Sequence, residues 1–409
     1  MKVNVIGLGY IGLPTALMLA SHGVETIGTD CNRKLVSTLK AGSVTFKEVG
    51  LDDLLANAID AGIQFSTEYQ DADIYIVSVP TPYMADSKKI DASYVTNAVE
   101  SVLDICGKGA ILVIESTISP GTIDKYVRPI IASRGLKCGD NIHLAHAPER
   151  IIPGKMIDEL LHNNRTIGAD NQEIAEKVRA IYSSFCKGDI ALTDIRTAEM
   201  SKVVENTFRD VNIAFANELA KICRSSGMDV REVIRIANMH PRVNILQPGP
   251  GVGGHCISVD PWFLVGDYPS LTKVITASRL ENDSMPEYIL SQARKIMDMH
   301  NIQHPSKVGI YGITYKADVD DIRESPTLQM LDSMHNHLSG SSCKIYDPMV
   351  SADIVPGQVH SLDEFLDGLE MVILMVGHRE ICDNPNLFRD LIVFDTRGVL
   401  PSRDGVYGL

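Results

Sequence analysis

The sequence predicts an α/β protein: two Rossmann-like, doubly wound domains joined by a long central helix and a helical middle section. Three observations carry this. Short β-branched runs alternate with helical text through residues 1–195, helix-forming sequence fills 196–300, and the alternation resumes over 301–409. At 409 residues the chain is long enough to bury more than one core.

In the first domain the strands are expected at 3–6, 24–28, 74–79, 111–114 and 142–145. Their continuous apolar character is that of a parallel sheet covered by helices on both faces. Gly7-Leu8-Gly9-Tyr10-Ile11-Gly12 follows the first strand and opens a helix, the context a dinucleotide fingerprint requires. Its glycines permit a tight turn, close approach of a pyrophosphate and packing of helix on sheet. Asp30 ends the second strand 18 residues after Gly12, where a carboxylate accepts from ribose hydroxyls and repels a 2′-phosphate. NAD is therefore the expected cofactor, with Arg33 and Lys34 keeping NADP open. Val79-Pro80-Thr81-Pro82 and Glu115-Ser116-Thr117 end two further strands, at the sheet edge where ligands bind, although such sequences also make ordinary turns.

The middle section is one long helix over about 197–224, with further helices near 229–238 and 271–300. Lys202, Asn206 and Arg209 are spaced i, i+4, i+7 and share a helix face, a stripe able to stabilise an oxyanion or simply to meet solvent. Pro248-Gly249-Pro250-Gly251-Val252-Gly253-Gly254-His255-Cys256 ends a glycine-rich loop on a cysteine, placing a thiol where backbone can approach a ligand. A lone cysteine is more often a small buried hydrophobe, so this pattern needs company. Asp260, four residues on, is a candidate base or water holder. In the last domain, strands are expected at 307–311, 344–346, 371–376 and 391–394.

With 38 basic and 52 acidic residues the net charge of −14 argues against a nucleic-acid partner, and an anionic substrate needs a local cluster of Arg and Lys. No apolar run is long enough for a membrane span, and the N-terminus lacks the features of a signal peptide, so a cytoplasmic protein is expected. Eight cysteines without a CxxC pair suggest neither a metal site nor a disulfide framework.

Five segments then stand out together: GLGYIGLP at 7–14, APERIIPG at 147–154, AEMSKVVENTFRDVNIAFANEL at 198–219, HPRVNILQPGPGVGGHCISVDPWF at 240–263 and YKADVDDIRESP at 315–326. In this order they resemble the UDP-glucose/GDP-mannose dehydrogenase family, and 198–263 looks most like its UDP-N-acetylmannosamine branch. The resemblance implies an NAD-binding domain over 1–195, a central dimerisation and catalytic domain over 196–300, and a UDP-sugar-binding domain over 301–409, in a homodimer or higher homo-oligomer working in an interdomain cleft. It implies a four-electron oxidation of the sugar C6 alcohol to a carboxylate, through a cysteine thiohemiacetal and thioester, with two NAD consumed.

Carried over by position, Cys256 is the nucleophile, Lys202 assists alcohol deprotonation, and Lys202 and Asn206 stabilise the thiohemiacetal oxyanion. Asp260 and Thr117 position water and Glu149 assists thioester hydrolysis. Gly7, Gly9, Tyr10, Ile11, Gly12, Asp30, Thr81, Thr117 and Arg323 match cofactor contacts. Arg150, Ile151, Lys202, Asn206, Arg209, His240, Arg242, Gly253, Tyr315 and Lys316 match substrate contacts. Two departures from the pattern are Ser258, where the branch commonly has alanine or proline, and Ala317-Asp318-Val319 after Lys316. Alternative substrates are UDP-N-acetylglucosamine and UDP-glucose. A two-electron hydroxyacid dehydrogenase is a rival reading that leaves Cys256 without a task, and a nucleotide-binding scaffold without turnover is another.

Overall fold

Apolar β-branched segments pair side by side in the computed structural model, which describes residues 1–337 and 343–409. The chain divides into two compact units, one of residues 1–205 with 262–268 and one of 206–261 with 269–409.

The first unit is built on β1 (Lys2–Ile6), β2 (Glu25–Thr29), β3 (Gln64–Ser66), β4 (Ile74–Val77), β5 (Ala110–Ile114), β6 (Ile142–His146), β7 (Arg165–Ala169) and β8 (Ile190–Thr193). They form one sheet in the order β3-β2-β1-β4-β5-β6-β7-β8. Val5 pairs with Gly28 on one side and Ile76 on the other, and only the β6–β7 pairing is antiparallel. Strand order reverses between β1 and β4, so the crevice beyond their carboxyl ends is where a dinucleotide binds such a sheet. The expected strands all form, within about two residues at their ends. β3, β7 and β8 were not expected, because a three-residue piece, a strand reading Arg-Thr-Ile-Gly-Ala and a four-residue Ile-Ala-Leu-Thr are too short or too mixed to carry a strand signal.

The helix expected over 197–224 runs over Ile195–Ser225, and those expected at 229–238 and 271–300 are Val230–Ala237 and Lys273–Met299. In the second unit, Ala216, Ala220 and Cys223 of the long helix and Met285, Ile289, Ala293 and Ile296 of helix Lys273–Met299 share one core with a second sheet. That sheet comprises β9 (Val308–Tyr311), β10 (Lys344–Tyr346), β11 (Met371–Leu374), β12 (Ile392–Asp395) and β13 (Val406–Gly408), in the all-parallel order β10-β9-β11-β12-β13. Here the order reverses between β9 and β11, a second switch point and hence a second ligand-binding edge. Among the described residues no helix is long and apolar enough to cross a membrane, and no cluster of three or more His, Cys, Asp or Glu could hold a metal.

Candidate active site

The fingerprint loop forms at the end of β1. Gly7 has φ +88°, and a Cβ there would sit 2.4 Å from the Ser78 carbonyl oxygen; at Gly12 it would sit 1.9 Å from that of Gly7. Both positions therefore require glycine. A Cβ on Gly9 would meet no atom within 4 Å, which leaves open the approach that a pyrophosphate needs. The helix Gly12–Ser21 has no side-chain cap and no acidic residue in its first turn, so its N-terminal amides are available to an anion. Asp30 lies where the sequence placed it. Its carboxylate accepts from the Leu8 and Asn32 amides, both at 2.8 Å, tying the end of β2 to the glycine turn. These residues fit NAD. Thr81 and Thr117 come together at the neighbouring strand ends, the Thr81 hydroxyl donating to the Thr117 carbonyl at 2.7 Å.

Glu149 is buried. One of its oxygens accepts from the amides of Arg150 (2.6 Å) and Ile151 (3.2 Å), and the other is ion-paired with buried Arg165. Arg165, which no sequence signal singled out, stacks 4.5 Å over the Tyr182 ring. Its signal was a cation inside a strand, invisible while β7 was unrecognised. Arg150, an expected substrate contact, has its guanidinium committed inside the protein, to Glu205 (2.6–3.0 Å), the Asn164 carbonyl (2.8 Å) and the Thr166 hydroxyl (2.9 Å). Its side chain shapes the segment before β7.

Beside this pair lies Glu115, which accepts from Ser78, from Tyr182 (2.9 Å) and from Thr15 (3.3 Å). Burial, with the Glu149 charge adding to it, pushes the Glu115 carboxyl up to about 7 from 4.5. The folded protein thus retains a proton that the unfolded chain has released between those values. The stability this contributes is full below about 4.5 and is lost as pH rises through about 7. Glu115→Gln is expected to flatten the fall in thermal stability over that window, measured by unfolding scans in parallel with the parent protein. An unchanged slope would remove Glu115 as its source.

Lys202 and Asn206 lie one turn apart on helix Ile195–Ser225 and are 6% and 5% exposed, whereas Arg209 is exposed. Among the described residues no hydrogen bond or ion pair engages the Lys202 ammonium.

Asn206 Nδ2 donates to Asp260 at 2.6 Å, joining two of the expected residues. Asp260 opens helix Asp260–Asp267, and its amide donates to the Cys256 carbonyl at 2.9 Å. Cys256 is exposed, four residues before that helix. Its loop is fixed by close contact: Gly254 has φ +83°, a Cβ there would meet the Tyr315 ring at 2.8 Å, and the Gly254 amide donates to the Arg323 carbonyl at 2.9 Å. A Cβ on Gly253 would sit 2.6 Å from both the Glu324 carbonyl oxygen and Tyr315 Cβ, so Gly253 and Tyr315, both expected substrate contacts, touch. The Ser258 hydroxyl donates to the Gly254 carbonyl, closing the turn that carries Cys256. Arg323 is exposed and pairs with Asp321 at 2.6 Å. Tyr315 and Lys316 are half-buried, while His240 and Arg242 are exposed near the end of the second unit's helix Val230–Ala237.

Three family models match the chain: the UDP-glucose/GDP-mannose dehydrogenase NAD binding domain over residues 1–186, the central domain over 196–284 and the UDP binding domain over 309–402. A UDP-N-acetyl-D-mannosamine dehydrogenase of Methanococcus maripaludis is 44% identical, the alignment covering 98% of this chain and 93% of that protein. An NDP-N-acetyl-D-galactosaminuronic acid dehydrogenase of Ralstonia nicotianae is 38% identical over 97% of this chain and 96% of that one. The solved UDP-N-acetyl-mannosamine dehydrogenase of Staphylococcus aureus superposes with a TM-score of 0.89 at 40% identity, covering 100% of this chain and 97% of that one.

Proposed function

The chain belongs to the UDP-glucose/GDP-mannose dehydrogenase family and is an NAD-dependent UDP-sugar dehydrogenase, and from that premise we propose that it oxidises UDP-N-acetyl-D-mannosamine to the uronate. The observation that carries the chemistry is the buried, unengaged Lys202 one turn from an Asn206 bonded to Asp260, with Asp260 four residues beyond an exposed thiol. The relatives' substrate supplies the choice of sugar.

In this reading Lys202 assists removal of the C6 hydroxyl proton; NAD, which the Gly9 turn would hold, would supply the hydride acceptor. The Cys256 thiolate then adds to the aldehyde carbon, and the new oxyanion is met by the Lys202 ammonium and the second N–H of the Asn206 amide, the first being given to Asp260. Transfer of a second hydride, to a second NAD that the same turn would hold, would leave a thioester. Water, ordered by Thr117 and Asp260, attacks the carbonyl carbon, its proton passes to a carboxylate, and the C–S bond breaks to return the thiolate and release the sugar carboxylate. Glu149 serves this last step as an orienting anion, since both its oxygens already hold partners. Lys316 and Arg242 supply cationic contacts, and His240 a polar one, for the diphosphate that the net charge of −14 otherwise repels.

The test is a panel of UDP-N-acetylmannosamine, UDP-N-acetylglucosamine, UDP-N-acetylgalactosamine and UDP-glucose, scored by NADH yield and product mass. The expected result is about two NADH per UDP-N-acetylmannosamine and kcat/KM at least about tenfold higher for it than for the others. A higher kcat/KM for another sugar would overturn the assignment.

We also propose a homodimer. Phe208, Phe215 and Ile222 are 62%, 49% and 55% exposed and recur every seventh residue on helix Ile195–Ser225, a stripe suited to a second copy of the same helix. Phe208→Glu with Phe215→Glu is expected to halve the mass measured by light scattering; an unchanged mass would place the interface elsewhere. Cys31, Cys106, Cys138, Cys186, Cys223, Cys343 and Cys382 are all thiols, which supports a reducing, cytoplasmic setting that cell fractionation tests directly.

A further inference from the structure

We infer that His378, working with Asp347, is the positioning residue that sets the Lys316 loop for the substrate's nucleotide; this rests on reading Tyr315 and Lys316 as substrate contacts. The loop leaves β9 at the second switch point, between β10 and β11, and its first residue, Gly312, still donates its amide to the Tyr346 carbonyl of β10 at 2.8 Å. Beyond Gly312 its backbone is fixed by buried side chains. The Asp347 carboxylate, directly after β10, accepts from the amides of Ile313 (2.6 Å) and Thr314 (2.9 Å). The Thr314 hydroxyl, with one proton to give, donates to the Lys316 carbonyl at 3.0 Å.

Beyond Lys316 the chain turns through Asp318, at φ +60° in the left-handed region that side chains other than glycine rarely adopt. The Asp318 amide donates to His378 Nδ1 at 3.0 Å, and the Arg379 amide donates to its carboxylate, also at 3.0 Å. Because Nδ1 accepts, the ring proton sits on Nε2, which faces Asp347 Oδ2 at 3.3 Å. His378 is 1% exposed and Asp347 3%, so water is poorly placed to substitute for either bond. Lys316 is thus fixed on both sides, by Thr314 through its own carbonyl and by His378 through the amide two residues on.

The experiment measures UDP binding by calorimetry on the full chain and on Lys316→Ala, His378→Asn and His378→Gln, with the melting temperature of each. Asparagine places an acceptor where Nδ1 stood, whereas glutamine reaches the Nε2 position and leaves the Asp318 amide unanswered. The expected result is about tenfold weaker UDP binding for Lys316→Ala and for His378→Gln, with His378→Asn within about threefold of the parent. For His378→Gln the KM for the UDP-sugar rises, with kcat at saturation and the KM for NAD unchanged. If Lys316→Ala weakens binding but His378→Gln does not, His378 has no positioning role and the Lys316 reading stands. Equal losses in both His378 variants that follow their melting temperatures would also overturn the inference, by assigning His378 to the core alone. If Lys316→Ala binds UDP like the parent, the reading of Lys316 itself fails.

Discussion

Cys256→Ala is expected to abolish formation of the sugar carboxylate, lowering kcat by about 10^3-fold or more, because no other group of the loop can hold the aldehyde for a second oxidation. The thiol is exposed, on a turn that Gly254 and the buried Ser258 make rigid, and it precedes the first turn of helix Asp260–Asp267, whose amide dipoles favour negative charge. Cys256→Ser keeps the geometry but offers a poorer nucleophile and a worse leaving group, so it too is expected to lose the thioester route. Both variants should bind NAD and UDP like the parent. The measurement is single-turnover NADH release with product mass: wild-type rates with two NADH per sugar in Cys256→Ala would show that the sulfur has no covalent role.

Lys202→Met is expected to lower kcat by about 10^2- to 10^4-fold, the range spanned by loss of general-base help and of an oxyanion partner. The same substitution should raise the melting temperature. Methionine fills the volume of the lysine stem and adds apolar burial at a residue that is 6% exposed, while no hydrogen bond or ion pair to a described residue is lost. A structural lysine predicts the reverse, stability falling while kcat is retained, so activity and unfolding measured on one preparation decide between them.

Much of this was legible in the residues before any fold was known. The β1 fingerprint, Asp30 and the strand-helix alternation depend on local rules, since a glycine at φ +88° or an apolar strand is dictated within a few residues. The spacing of Lys202, Asn206 and Arg209 placed them on one helix side, yet the buried boundary falls between Asn206 and Arg209. Helical periodicity gives direction around an axis and says nothing about how wide the covered arc is. Arg150 read as a substrate cation from its motif, and only its bonds to Glu205 and Thr166 show the guanidinium turned into the protein.

What the sequence by itself determined is the chemistry on offer: a dinucleotide turn, one thiol on a glycine loop, and a lysine and an amide one helical turn apart. These are encoded by neighbours in the chain, where spacing and local backbone preference suffice. Tertiary structure alone decided the settings of those groups, including the Arg165–Glu149 pair, the raised Glu115 carboxyl, the Asn206–Asp260 bond and the His378 anchor of the Lys316 loop. Burial and hydrogen-bond partnership arise between segments as far apart as Thr15 and Glu115, 100 residues, and no local rule specifies which distant side chain will close such a contact.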